Sequence, residues 1–191
     1  MTHNPGVLDL RVGLIAKAIQ HPDADNLYVL TIHCGDSEPR TVVSGLAKHI
    51  PLETMQDRLV ILLCNLKPSK FRGITSQAMV LAGSDSTYTK LELVEPPAKT
   101  LPGTPAIFDG HVRAPLALLP PKKKLWEQIQ PKLRANASGE VGWTDENGVW
   151  WVLRVGTCIC KLPTLREVSI NSQLNINIDK CEKRAESTKK Y

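Results

Sequence analysis

The sequence predicts a mainly β protein whose C-terminal part differs in character from the rest. Three observations carry this. Apolar runs along residues 8–94 are short and never extend into long amphipathic stretches. Gly, Pro, Asn and Asp punctuate them roughly every 8–12 residues, the spacing of strands joined by turns. After residue 109 the composition shifts to paired prolines, a lysine run and three clustered tryptophans.

The first strand is expected over Leu8–Ala18, which alternates and then runs apolar, with Gly13 marking a bend or bulge. His21-Pro22-Asp23-Ala24-Asp25-Asn26 reads as a turn, because Pro presets φ and Asp and Asn side chains bond nearby backbone. Leu27–Cys34 and Arg40–Ser44 are the second and third strands. Leu46–Ile50 can form only a short helical turn, since Pro51 restricts the residue before it. Leu59–Cys64 and Ala78–Ala82 are the fourth and fifth strands, and Leu91–Val94 is a short sixth. Pro96, Pro97, Pro102, Gly103 and Pro105 mark a linker or edge loop. Five to six strands in this length suit an OB-type barrel, whose face and loops commonly bind nucleic acid or sugar.

Three segments are therefore expected: a barrel over 1–109, an extension over 110–171 and a polar tail over 172–191 that frays. In the extension, the Lys122–Gln130 stretch carries a helix with Leu125, Trp126 and Ile129 on one face, ended or bent by Pro131. Glu140–Thr144 and Val149–Val155 form a hairpin across Asp145-Glu146-Asn147-Gly148. Trp143, Trp150 and Trp151 are expected to pack a satellite core rather than stack on bases.

Hydrophobic residues make up 42% and charged residues 23%, which excludes a disordered chain. No apolar run approaches the roughly 20 residues of a membrane helix, and the polar start has no signal-peptide pattern. A start so close to the first strand is that expected of a piece of a longer protein. Five cysteines, Cys34, Cys64, Cys158, Cys160 and Cys181, are too few and odd in number for a disulfide scaffold. Cys34 and Cys64 read as buried thiols, and Cys158-x-Cys160 lacks zinc-site spacing. A reducing, cytoplasmic setting follows.

The net charge is +5, but residues 1–109 hold 10 basic and 11 acidic side chains while 110–191 hold 14 and 8. An anion-binding surface on the barrel must then come from local placement. Between Asp57 and Asp85 there is no carboxylate, yet the interval holds Arg58, Lys67, Lys70 and Arg72. Two apolar runs flank it, so it is expected to be a cationic loop on a rigid scaffold, suited to an anionic partner. A solvated basic turn has the same composition. His21 with Asp23 and Asp25 suggests a catalytic set on paper, but no nucleophile or metal-ligand spacing accompanies it, and a structured turn is expected.

Leu8-Asp9-Leu10-Arg11-Val12-Gly13, His21-Pro22-Asp23-Ala24-Asp25-Asn26-Leu27-Tyr28, Arg40-Thr41-Val42-Val43-Ser44-Gly45-Leu46, and Asn65-Leu66-Lys67-Pro68 with Arg72-Gly73 and Ser76-Gln77-Ala78-Met79 occur in this order. Together they closely resemble the tRNA-binding domain of the endothelial-monocyte-activating-polypeptide II type. The segment from Lys122, with Trp126-Glu127-Gln128-Ile129-Gln130-Pro131, is similar to the eukaryotic C-terminal extension of that family. The resemblance covers about residues 7–170. It implies an OB-fold barrel that grips the outer corner of tRNA irrespective of anticodon, performs no chemistry, needs no cofactor or metal, and raises the tRNA affinity of an aminoacyl-tRNA synthetase or multisynthetase complex. It also implies a monomer, because the extension imitates the contact by which bacterial relatives dimerise. The alternative is a protein–protein scaffold of a multisynthetase complex or a cytokine-like fragment. Against the latter, Leu14, Ala16 and Lys17 depart from the segment linked to that activity.

The tRNA-binding residues expected are Asn65, Lys67, Lys70, Phe71, Arg72, Ser76 and Met79. Arg72 supplies a planar fork for phosphate, and Lys67 and Lys70 supply point charges. Asn65 and Ser76 suit backbone or sugar contacts, with an Asx turn closing the strand as the lesser alternative for Asn65. Phe71 is placed to stack on an unstacked base. Met79 matches the family motif but lies in an apolar run, where it would flank a base or pack the core. Lys122, Lys123 and Lys124 precede a helix, where cations are mildly unfavourable, so they are candidate secondary phosphate contacts.

Overall fold

The computed structural model describes residues 4–172. Beyond Ser172, the expected polar tail and Cys181 lie outside the described residues. The barrel is built from β1 (Leu10–His21), β2 (Ala24–His33), β3 (Arg40–Ser44), β4 (Leu59–Leu63) and a later strand, Met79–Ser84. All are antiparallel: β1 pairs with β2 and β4, β2 with β3, and β4 with Met79–Ser84. The ring closes where Gln77 N–H donates to the Thr41 carbonyl (2.9 Å) and the Gln77 side-chain carbonyl accepts from Thr41 N–H (2.8 Å). Five strands around one interior form an OB-like barrel.

Between β4 and the closing strand lies a small hairpin that the sequence reading missed, β5 (Ser69–Phe71) and β6 (Ile74–Ser76). The closing strand is therefore β7, followed by β8 (Leu91–Leu93). The bulge also differs from expectation. The β1 register shifts between Ile15 and Lys17, not at Gly13. Gly13 is needed for close packing, since a Cβ there would lie 2.7 Å from both Ile32 and Leu62 side chains. The proline-rich stretch is no loose linker: Gly103 N–H donates to the Val12 carbonyl (2.8 Å), and Val12 N–H to the Thr104 carbonyl (2.9 Å).

Residues 107–172 add β9 (Ile107–Phe108), α1 (Leu125–Ile129), β10 (Leu133–Ala135), β11 (Val141–Thr144), β12 (Trp150–Val155), β13 (Cys158–Ile159) and β14 (Ser169–Ser172). The hairpin β11–β12 lies where the sequence placed it, with Asp145 accepting from Asn147 and Val149 N–H. The helix α1 begins directly after the three lysines. A 3-10 turn over Pro121–Lys123 ends at Lys124, whose φ of 46° interrupts the path before α1 begins. A Pro120-Pro121 entry presets a tight turn, and lysines at a helix start are not favoured by the dipole. Trp126 and Ile129 are buried and Leu125 half-buried, so the expected face is the packed one.

The two parts share one sheet and one core. β14 pairs with both β10 and β7, joining the extension to the barrel. Along β4 and β7 the side chains alternate: Val60, Leu62, Val80 and Ala82 fill the barrel, while Ile61, Leu63 and Leu81 meet Trp126, Ile129, Leu133 and Ile170 outside it. Strands covered on both faces read as continuous apolar runs, which is why 59–64 and 78–82 show so little alternation. Leu162 packs where a Cβ on Gly83 would overlap it, and Glu92 accepts from the backbone N–H groups of Thr164 and Leu165 (2.8 Å each). Burial pushes the Glu92 carboxyl up, but these bonds outweigh it and hold it below its ordinary value.

Candidate nucleic-acid interface

Residues 65–79 leave the barrel through a narrow neck. Asn65 is 3% exposed. Its side-chain carbonyl accepts from Asp9 N–H (3.0 Å), and its amide donates to the Val7 and Leu116 carbonyls (2.9 Å each). These partners lie more than 50 residues away, so this is not an Asx turn. The Ser76 hydroxyl accepts from Val43 N–H (2.9 Å) and donates to the Ala78 carbonyl (3.0 Å). Both side chains are buried and their polar atoms are engaged within the fold, while Ser76 also lines the groove described below.

Charged side chains brace the same neck. The Arg40 guanidinium donates to the Cys64 carbonyl (2.7 Å) and the Gln77 carbonyl (3.1 Å), tying its two ends together. Its Nε holds Asp36 (2.6 Å), which also meets Arg11 (2.8 Å). Arg11 and Arg113 both reach the buried Asp9. The hydrogen bond from Arg40, against desolvation by burial, keeps the Asp36 carboxyl below the usual carboxylate range. Close by, Cys34 and Cys64 are buried thiols, as expected; the Cys34 thiol donates to Asp36 (3.6 Å), the neighbouring Cys64 lowers Cys34, and Cys34 together with burial raises Cys64. His21 is likewise structural. Its Nδ1 accepts from Asp23 N–H (3.0 Å), which leaves the proton on Nε2, and Nε2 donates to the Phe71 carbonyl (3.2 Å). The β1–β2 turn thus props the outer hairpin.

Beyond the neck the hairpin pairs Ser69 with Ser76, Lys70 with Thr75 and Phe71 with Ile74. Arg72 (φ 46°) and Gly73 (φ 93°) supply the two positive φ values that a type I′ turn requires. Lys67, Lys70 and Arg72 are exposed. Arg58, at the other end of the carboxylate-free interval, is half-buried and paired with Glu95 (3.1 Å), not with its neighbour Asp57.

A groove of about 240 Å³ runs between this hairpin and the extension. Leu66, Lys67, Phe71 and Met79 line it from the barrel side. Lys124, Leu125, Trp126 and Glu127 line it from the other. Met79 packs against the core and also lines the groove. Lys122 and Lys123 are exposed on the adjoining 3-10 turn. The structure therefore brings together Lys67 and Lys124, 57 residues apart in sequence. Sequence reasoning named the lysines but missed Trp126, Leu125 and Glu127 as walls of the same groove. Trp126 had been assigned to the packed face of a helix, which it also occupies.

An OB-like barrel that presents exposed cations on a rigid hairpin defines a nucleic-acid-binding module of the OB class. The family model described as "Putative tRNA binding domain" matches residues 10–105. The chain belongs to this tRNA-binding domain family. It is 55% identical over 130 residues to the mouse aminoacyl tRNA synthase complex-interacting multifunctional protein 1, covering 68% of this chain and 41% of that protein. It is 50% identical over 142 residues to the cytoplasmic methionine–tRNA ligase of Caenorhabditis elegans, covering 74% of this chain and 15% of the ligase. The chain thus spans less than half the length of either. Among solved structures, the C-terminal domain of Plasmodium vivax p43 superposes with a TM-score of 0.75 at 28% identity, covering 88% of this chain and 99% of that one.

Among the described residues, no group of three or more His, Cys, Asp or Glu side chains lies close enough to hold a metal ion, and no helix is long and apolar enough to cross a membrane.

Proposed function

We propose that this chain binds tRNA at its outer corner, irrespective of anticodon, as a cytoplasmic module that performs no chemistry itself and raises the tRNA affinity of an aminoacyl-tRNA synthetase or synthetase complex. The convergence of Lys67 and Lys124 on one groove, beside Lys70 and Arg72 on the hairpin, carries this reading. Cations from two separate stretches follow a phosphate backbone better than either stretch alone. The barrel over 1–109 supplies the hairpin and the extension over 110–171 supplies the facing wall. The family match and the likeness to a synthetase-complex protein and a methionine–tRNA ligase support the partner class.

The experiment is a titration of several unrelated tRNAs across a salt series. Each neutralised phosphate contributes about −0.7 to −0.9 to the slope of log K against log salt. Affinity should fall steeply with salt and vary little among tRNAs. Affinity that ignores salt, or that follows the anticodon, contradicts the proposal. A chain that binds synthetase-complex components but no tRNA is a scaffold.

The chain acts as a monomer in this reading, because the extension already covers the outer faces of β1, β4 and β7. Light scattering at micromolar concentration should return the 21.1 kDa chain mass; twice that mass contradicts it.

A further inference from the structure

We propose that the groove between hairpin and extension receives one unpaired guanine base of the bound RNA, with Glu127 reading its Watson–Crick edge. This rests on the tRNA-binding reading and specifies what the site takes.

The volume argues for one base. At about 240 Å³ the groove is smaller than the roughly 300–1,000 Å³ that encloses a whole drug-sized ligand. It therefore takes a fragment of something larger. Its walls are mixed, with Lys67, Ser69, Ser76, Lys124 and Glu127 beside apolar side chains, which suits a planar fragment with apolar faces and a polar edge. Phe71 offers half-buried aromatic surface, Met79 and Leu125 offer aliphatic surface, and Trp126 lines the groove although it is only 5% exposed. Sugar and phosphate lose hydration against such walls without recovering it, whereas an unstacked base has two π faces to bury. The rim argues for a nucleotide. Lys67 on one side and Lys124 on the other stand where the phosphates flanking an extruded base would pass.

Glu127 decides among the bases. Among the described residues it is the one carboxylate lining the groove, it is exposed, and it sits in the first turn of α1. A carboxylate among lysines weakens a site built for phosphate alone. Ionised, it accepts hydrogen bonds and donates none. Guanine presents two adjacent donors, N1–H and the N2 amino group, which match the two carboxylate oxygens. Uracil has one donor flanked by carbonyls. Adenine and cytosine each set an acceptor nitrogen beside their amino group, and that nitrogen faces the carboxylate with like polarity.

The test uses the full 191-residue chain, an unmodified tRNA transcript, and GMP, AMP, CMP and UMP at matched ionic strength. GMP should shift the backbone amide resonances of Phe71, Lys124 and Glu127 and bind about tenfold more tightly than the other three nucleotides, the scale of one bidentate base contact. Glu127→Gln should remove that preference and weaken tRNA binding about tenfold, with no change in melting temperature. If the groove holds phosphate only, Glu127→Gln removes a repulsion and tightens tRNA binding, and the sign of the effect overturns the proposal. Equal shifts from all four nucleotides, or none at groove residues, also overturn it. If the unaltered chain does not bind tRNA at all, the parent reading fails instead, so the two failures are distinct.

Discussion

The neck and the tip of the 65–79 segment share one stretch of sequence and divide its work. At the neck, Asn65, Ser76 and the carbonyls of Cys64 and Gln77 are engaged by Asp9, Val7, Leu116, Val43 and Arg40. At the tip, Lys67, Lys70 and Arg72 stand exposed on a two-stranded hairpin outside the main sheet. The neck fixes where the cations stand, and the tip exposes them.

The largest effect expected is at the neck. Asn65→Ala leaves the Asp9 N–H and the Val7 and Leu116 carbonyls without their partner. Unsatisfied buried groups cost about 1–3 kcal/mol each and are not additive, so a loss near 3 kcal/mol in denaturant unfolding is expected. tRNA affinity, measured well below the lowered transition, should change less than threefold. A selective loss of affinity with full stability would return Asn65 to the binding surface.

Next comes the tip. A charge-assisted contact is worth about 1.5–3 kcal/mol, so Arg72→Ala should weaken tRNA binding roughly ten- to a hundredfold, read by filter binding or anisotropy. An exposed turn residue contributes little to folding, so the melting temperature should barely move. Unfolding of Arg72→Ala would erase the division between neck and tip.

Acid tests the brace behind the neck. The Asp36 carboxyl titrates below its ordinary value of 3.8 because of Arg40 first and Arg11 after it. A group depressed on folding contributes stability that is full above its unfolded value and is lost as pH falls through its folded value. Thermal melts should therefore show a decline below about pH 3.8 that Asp36→Asn makes shallower. An unchanged acid slope would remove Asp36 from the brace. Smallest of all, Arg58→Ala should cost under about 1 kcal/mol, the worth of a part-exposed pair, and leave tRNA affinity alone; a tRNA defect there would move the interface to the other end of the interval.

The strands of the barrel were legible because each apolar run ends in turn residues, and the β11–β12 hairpin because Asn147-Gly148 marks it. The lysines and Arg72 were legible because charge clusters locally. The β5–β6 hairpin was not: its strands are three residues each, mostly polar, and its turn carries Arg rather than Asn or Asp at the first left-handed position. The role of Asn65 was hidden because its partners are 51–58 residues away. The ion pair of Asp9 with Arg113 spans 104 residues, and nothing in local pattern announces it. The groove was hidden for the same reason, since its walls come from stretches that only the shared core brings together. Gly13 was misread because a glycine forced by close packing and one forced by a bulge look alike in sequence.

The claim that barrel and extension grip one RNA backbone together is tested most directly by the salt dependence of tRNA binding for the unaltered chain and for Lys67→Ala/Lys124→Ala. The two lysines should each account for one phosphate, so the double variant should lose about 1.4–1.8 from the magnitude of the slope of log K against log salt, with an unchanged melting temperature. A slope and affinity that match those of the unaltered chain would show that the RNA does not lie across the groove.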